Sequence, residues 1–333
     1  MDILTQGLLG ASVAISGAKK EELKQALAIG FLSGLLADAD VLIQSGSDAL
    51  LTLEYHRHFT HALIFVPFGA LIASALLWPF YRKTITFPVI YKYAFLGYLL
   101  SGVLDALTSY GTHLYWPFTS ERVAWHLISI VDPVFTLSLL LGVIFSSLYK
   151  NKRFSGIALL VCLTYLSISY LQLQRVEQKI IDIATHRGHN ITRLVVKPTM
   201  GNIILWRTIY LANGEFVVDA VHAGLLDTSL YPGNTAKHIT PEMFPAIAQP
   251  GSILHKDIQR FNYFSDGFVA WHPERTDVLG DVRYALIPDS TWPLWGIQFN
   301  IEHPGQHVNF VSFRKADENT WSRFLNMVLA KKH

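Results

Sequence analysis

The sequence predicts an α-helical transmembrane bundle followed by a C-terminal soluble α+β domain, and three observations predict it. Of the 333 residues, 51% are hydrophobic and only 16% are charged, with a mean hydropathy of +0.30. A soluble domain averages about 25% charged residues. The shortage of charge is confined to residues 1–174, whose apolar runs approach the roughly 20 residues that a spanning helix needs. Residues 175–333 instead alternate β-branched and aromatic runs with turn residues, as an ordinary soluble domain does.

The first apolar stretch, Ile3 to Ala18, is short for a span but rich in small residues (Gly7, Gly10, Ala11, Ser12, Ala14, Gly17), which permit close packing on a neighbouring helix. After the charged segment Lys19 to Lys24, Ala26 to Ile43 is the next helix, with Asp38 and Asp40 near its end. Ala62 to Phe80 is the cleanest span, closed by the interfacial aromatics Trp78, Phe80 and Tyr81. Tyr93 to Thr108, Ile128 to Tyr149 and Ser155 to Leu173 complete the set. Lys19, Lys20, Lys24, then Arg82, Lys83, Lys92, then Lys150, Lys152, Arg153 fall in alternate connections, whereas the opposite ones hold only Arg57 and Arg122. The positive-inside rule puts the basic connections in the cytoplasm and residues 175–333 on the opposite, extracytoplasmic side of the membrane.

Beyond Gln174, Arg175 to Thr185 reads as a helix leaving the membrane. Ile191 to Val196, Asn202 to Leu211 and Glu215 to Val221 read as strands, and Asn213-Gly214 between two of them is a hairpin signal. Tyr263 to Trp271, Asp281 to Ile287 and Leu294 to Ile301 also read as strands, with a closing amphipathic helix from Ala316 to Leu329. The net charge of +2 gives no argument for nucleic acid, and none is expected as a partner. The single Cys162 excludes a disulfide framework or a zinc-cysteine site, and the start of the chain lacks the basic region of a cleavable signal.

The chemistry lies in Asp38, Asp40, His56, His61, Asp105 and Asp132, all at the ends of or inside apolar segments and all on the extracytoplasmic side of that topology. Acids at membrane depth are costly, so a set of them lines a cavity or holds a cation. Carboxylates with imidazoles are suitable ligands for one or two divalent metals, with zinc or manganese expected and iron not excluded. Residues two apart on an α-helix point roughly 200° from one another, so Asp38 and Asp40 face one cation only where the helix unwinds. Thr60 suits an N-cap of the following span, with His61 in its first turn. Asp132 before Pro133 also suits a helix cap. A bound metal makes hydrolysis the natural chemistry, with a carboxylate beyond the ligands, or Glu54, as general base. Thr185-His186-Arg187-Gly188-His189 and Ser265-Asp266-Gly267 read as turns, and His303 and His307 as surface residues. The chain has no Gly-rich phosphate loop, which argues against a nucleotide-driven pump.

The segments Met1 to Ala11, Ala37 to Asp40, His56-Arg57-His58-Phe59-Thr60-His61-Ala62, Leu104 to Thr112 with Trp116-Pro117-Phe118, and Val131-Asp132-Pro133 occur in order. Together they resemble the bacterial membrane-bound metal-dependent hydrolase family, the YdjM-like inner-membrane proteins, over about residues 1–150. The segments Lys197-Pro198 to Arg207 and Phe264 to Phe268 are similar to the extracytoplasmic tail of one branch. The resemblance implies a metal-dependent hydrolase with Asp38, Asp40, His56, His61, Asp105 and Asp132 as its polar positions. Two positions depart from it. Ser101 stands where the family often has His, one turn before Asp105, and His58 stands where it usually has Gly. His113 and His126 are the candidates to replace the lost imidazole.

The expected function is hydrolysis of a lipid, phosphoester or other small molecule at the outer face of the bilayer. The alternatives are an ion-binding or transport protein and a structural membrane protein. A transporter favours repeated halves and polar groups at the midplane, whereas these acids lie toward one end of their helices.

Overall fold

The computed structural model describes residues 1–225 and 227–331. By its internal contacts the chain forms two units. One comprises Met1–Leu42, Tyr55–Leu171 and Met200–Asn202; the other comprises Ile43–Glu54, Gln172–Thr199 and the chain from Ile203 onward.

The first unit opens with α1 (Ile3–Ser16), capped by the Asp2 carboxylate on the Thr5 amide, and continues with α2 (Leu23–Leu36). Small residues let these helices and α5 touch backbone to backbone, since a Cβ at Gly10 or at Gly97 would collide with the Gly30 carbonyl oxygen. After α2 the chain tightens into a 3-10 turn over Ala37–Leu42. The short α3 (Leu51–Tyr55) follows, then 3-10 turns at Phe59–His61 and Leu63–Phe65. The remaining helices are α4 (Val66–Tyr81), α5 (Phe87–Tyr98), α6 (Ser101–Ala106), α7 (Pro133–Leu148) and α8 (Arg153–His186).

Among the described residues, Lys20–Leu42, Leu63–Tyr81, Phe87–Ala106 and Arg153–His186 are long and apolar enough to cross a membrane, and α1 and α7 are shorter apolar helices. Outward faces carry Phe68, Leu71, Ile72 and Leu76 on α4, Leu137, Leu141 and Leu148 on α7, and Leu160, Leu163 and Leu171 on α8. So continuous an apolar surface is unfavourable in water and favourable in lipid. Lys92 Nζ donates to the Gly17 carbonyl and Lys152 Nζ to that of Ala18, which gathers the basic connections at one end of the bundle.

The second unit contains two antiparallel four-stranded meanders. The first is β1 (Arg193–Pro198), β2 (Leu205–Ala212), β3 (Glu215–Ala223) and β4 (Thr228–Lys237). Asn213 and Gly214 at the β2–β3 turn have φ of 54° and 78°, the left-handed pair that a tight hairpin needs. Two further helices, α9 (Phe244–Ile247) and α10 (Ile253–Phe264), lead to the second sheet. It comprises β5 (Val269–His272), β6 (Arg275–Asp281), β7 (Trp295–Gln298) and β8 (Asn309–Ser312), and α11 (Glu318–Val328) follows. Val195, Ile209, Phe216 and Val218 of the first sheet pack on Phe268, Ala270 and Val282.

The elements differ from the sequence reading at several positions, four of them as follows. The expected helices Ser155 to Leu173 and Arg175 to Thr185 are the single helix α8, because Gln174 and Arg175 continue its backbone without a break. Tyr263 and Phe264 end α10 rather than begin a strand, and strand β6 stops at Asp281, so residues 282–287 are not a strand. The third is β4, an edge strand carrying Pro232 that pairs across a bulge at Val217/Asp219. The fourth is Thr60, which does not cap the following span. Its hydroxyl donates to Asp40, and α4 begins later, after the 3-10 turns.

Candidate metal centre

The 3-10 turn at Ala37–Leu42 is what makes a site from Asp38 and Asp40. With about 3.0 residues per turn, residues two apart diverge by roughly 120° rather than roughly 160° as in an α-helix. The two acids thereby reach the two nitrogens of one imidazole. Asp38 Oδ1 lies 3.3 Å from His61 Nε2, and Asp40 Oδ2 lies 3.3 Å from His61 Nδ1. Asp105, on α6, adds Oδ2 at 2.9 Å from His61 Nε2. Gly102, one turn from Asp105, allows this approach, since a Cβ there would collide with the His61 carbonyl oxygen.

His61 and Asp105 are fully enclosed and Asp38 is partly open. Ligand atoms of Asp38, His61 and Asp105 all lie within 4.8 Å of one another. Asp105, Asp38 and Asp40 surround the buried imidazole with carboxylate oxygens, an arrangement whose field favours a cation.

Surrounding groups brace these side chains. Asp40 accepts from the Thr60 hydroxyl at 2.6 Å and from the Arg57 amide at 2.8 Å, and its other oxygen lies 2.9 Å from His56 Nδ1. Asp105 pairs with Arg57 Nη2 at 3.1 Å, accepts from Gln6 Nε2 at 3.1 Å, and ion-pairs with the Met1 α-amino group. Arg57 holds a positive φ of 62°, fixed by its amide on Asp40 and by its carbonyl, which accepts from the His113 amide and the Thr112 hydroxyl.

Four buried atoms around this group make no hydrogen bond: Gln6 Oε1, Asp38 Oδ2, Arg57 Nε and His61 Nε2. Although Nε2 has two carboxylate oxygens nearby, neither lies where the ring N–H would meet it. Buried polar atoms are rarely left unpaired, and an ion is one of the accepted reasons. Three of the four are acceptors or an imidazole nitrogen, a set that suits a divalent cation.

The structure therefore brings Asp38, Asp40, His56, His61 and Asp105 together but not Asp132. Asp132 caps α7 by accepting from the Phe135 amide and takes the Tyr165 hydroxyl on its other oxygen. Its position before Pro133 accounts for that. Glu54, the candidate base, is ion-paired with Arg260 at 2.8 Å. Ser101 donates to the Gly34 carbonyl, and His113 packs against His58 with ring centroids 4.6 Å apart, so no third imidazole joins the trio among the described residues.

Sequence reasoning missed Arg57 and Gln6. Arg57 carried a signal, a cation next to His56 within the histidine motif. Gln6 carried none beyond a polar residue in an apolar helix. A second group, Asp48, Asp257 and His307, also has ligand atoms within 4.8 Å of one another, but Arg260 already bonds both carboxylates at 3.0 Å. His307, expected at the surface, donates or accepts at 2.8 Å with Asp257.

A family model described as "YdjM inner membrane protein" matches residues 1–176. Among curated proteins, the chain is similar to the uncharacterized protein YfhP of Bacillus subtilis (strain 168), with 26% identity over 208 residues. That alignment covers 61% of this chain and 62% of YfhP, so the chain spans less than two thirds of its relative. No solved structure gives a significant match.

Proposed function

The chain belongs to the YdjM inner membrane protein family, and from that premise we propose that it is a membrane-embedded, metal-dependent hydrolase. The observation that carries the reading is the trio Asp38, His61 and Asp105, with Asp38 Oδ2 and His61 Nε2 buried and unpaired beside it. Those residues would hold zinc or manganese, through Asp38, His61 Nε2 and Asp105. When bound, such a cation lowers the pKa of water to about 7 and polarises an ester oxygen.

The chain's own residues supply the rest. Asp40 holds the imidazole in place, with Oδ2 3.3 Å from Nδ1 and through the Thr60 hydroxyl, which donates to Asp40 and lies 3.1 Å from Nδ1. Asp38 would bind the cation through one oxygen and take a proton from water on the other. Hydrolysis joins the water oxygen to the electrophilic atom of the ester and releases the alcohol with a proton. Asp38 is the only member of the trio with an exposed edge, at 14%, so substrate approaches from its side. The basic connections gathered at the opposite end of the bundle support an orientation with the site on the extracytoplasmic side. The lipid bilayer is the surrounding partner and a lipid or small ester the substrate.

Metal analysis of the detergent-purified protein tests this reading. Stoichiometric metal in the parent and none in an Asp38→Ala/His61→Ala variant is the expected result, together with hydrolysis of an ester panel by the parent only. Equal metal in both proteins would remove the centre. Metal without any turnover would favour the ion-binding alternative. A reporter fused after Leu173 is expected to be active only outside the cytoplasm.

A further inference from the structure

The second unit contains a cavity of about 510 Å³, within the roughly 300–1,000 Å³ of small-molecule sites. It is lined by residues of β6, β7 and β8, by the connection from β7 to β8 (residues 299–308), and by Leu254 of α10. That connection is tied down along its length. The Phe299 amide donates to the Asp277 carbonyl at 3.1 Å, the Pro304 carbonyl accepts from the Leu254 amide at 3.1 Å, and the Val308 amide donates to the Asp257 carboxylate at 3.1 Å.

Two imidazoles line this cavity, and their hydrogen bonds assign them opposite tautomers. The Asp257 carboxylate is 1% exposed, takes Arg260 Nη1 at 3.0 Å and can only accept. His307 Nδ1, 2.8 Å from it, therefore carries the proton, and the neutral ring keeps Nε2 as an acceptor. Asn300 Oδ1 accepts from the Glu302 amide at 2.9 Å, which turns Asn300 Nδ2 toward His303. His303 Nδ1, 3.0 Å away, is then the acceptor, and Nε2 of that ring carries the proton. One ring thus offers a ligand an acceptor and the other a donor.

A bare ring nitrogen repels an anion and an N–H repels a cation, whereas a hydroxyl both donates and accepts. Gln306 and Asn309 line the same cavity with carboxamides, each again a donor and an acceptor. No lysine or arginine lines it among the described residues, so a phosphate or carboxylate ligand would lack a counterion. Asp277 is balanced by Arg275 at 2.9 Å and takes Gln298 Nε2 at 2.6 Å. Leu254, Phe299 and Ile301 supply an apolar wall, which suits the C–H faces that a sugar ring carries between its hydroxyls. We infer that this cavity is a saccharide-binding site, whose uncharged sugar donates a hydroxyl to His307 Nε2 and accepts from His303 Nε2. The inference goes beyond the proposed hydrolase and does not rest on the metal centre.

Ligand-observed NMR and calorimetry on the full-length protein in detergent without a sugar headgroup decide it. The probes are glucose, galactose, N-acetylglucosamine and cellobiose, with glucosamine and zinc as cationic controls. The parent is expected to bind at least one of the four neutral sugars. His303→Phe and His307→Phe should each bind it about three- to tenfold more weakly, the worth of one hydrogen bond, while melting as the parent does. Parental affinity in both variants overturns the site, as does a parent that binds none of the four. Binding of glucosamine or zinc without any neutral sugar also overturns it, since the cavity would then be a cation site. Should a histidine variant fail to fold, Q306A and N309A take its place, and parental affinity in both is the overturning result.

Discussion

Asp40 Oδ2 lies 3.3 Å from Nδ1 of His61, at the opposite ring nitrogen from the one that Asp38 and Asp105 approach. Asp40 also takes the Thr60 hydroxyl, the Arg57 amide and His56 Nδ1. A carboxylate so engaged has little lone-pair capacity left for a metal. It orients the imidazole, the role that a carboxylate behind a metal-bound histidine commonly has. Asp38 and Asp40, two residues apart, therefore do different work.

Asp40→Asn should leave metal bound but weaken it about 10–100-fold, whereas Asp38→Asn and His61→Ala should abolish it. Competition with a chromogenic chelator measures the difference. A D40N protein with parental affinity would remove the orienting role, and one without metal would make Asp40 a ligand.

Arg260 organises the connector between the two halves of the motif. It reaches Asp48 at 3.0 Å, Glu54 at 2.8 Å and Asp257 at 3.0 Å, and residues 43–54 lie between Asp40 and His56 in the chain. Arg260→Met leaves three carboxylates without their common cation. Faster proteolytic nicking within residues 43–54 is expected, and D48N/E54Q in the R260M background should add little further. Additive effects would mean that the pairs act independently.

Much of this architecture was legible because its signals are strong and local. Apolar runs gave the spans, the Asn213-Gly214 pair gave the β2–β3 hairpin, and the Asp-Ala-Asp and histidine motifs gave most of the trio. What escaped was decided by distant partners. β4 carries Pro232 and Gly233, residues that weaken a strand, but the bulge in β3 and the Gly233 amide on Asp219 accommodate them. α10 was hidden because its apolar face, Leu254, Ile258, Phe261 and Phe264, sits among polar residues, although the spacing is helical and Ser252 caps it. Asp132 had both a ligand and a cap reading, and only the Phe135 amide and Tyr165 hydroxyl distinguish them.

His113 makes stability depend on pH. Burial, reinforced by Arg122 and His58, lowers its pKa from 6.5 to about 4. Between those values the unfolded chain binds a proton that the folded protein refuses, so stability falls as pH drops through that window. His113→Gln removes this contribution. The loss of melting temperature from pH 7 to pH 5 in detergent should be smaller in H113Q than in the parent, and an equal loss would mean that His113 is not protected from protonation.

Lys197 is a buried lysine in β1, with Nζ 3.2 Å from the centroid of the Tyr284 ring. Burial depresses its pKa well below 10.5, Arg207 adds to this, Asp281 opposes it and Arg283 adds again. The folded state thus resists a proton that the unfolded chain keeps, and the stability this costs is recovered as pH rises toward 10.5. Methionine fills similar space without a charge to desolvate. K197M should therefore melt higher at neutral pH, by roughly 2–4 °C for each kcal/mol gained. Its advantage should be larger at pH 6 than at pH 9, because the penalty it removes fades on that limb. A lower melting temperature at both pH values would mean that the ammonium's contact with Tyr284 outweighs the cost of burying it.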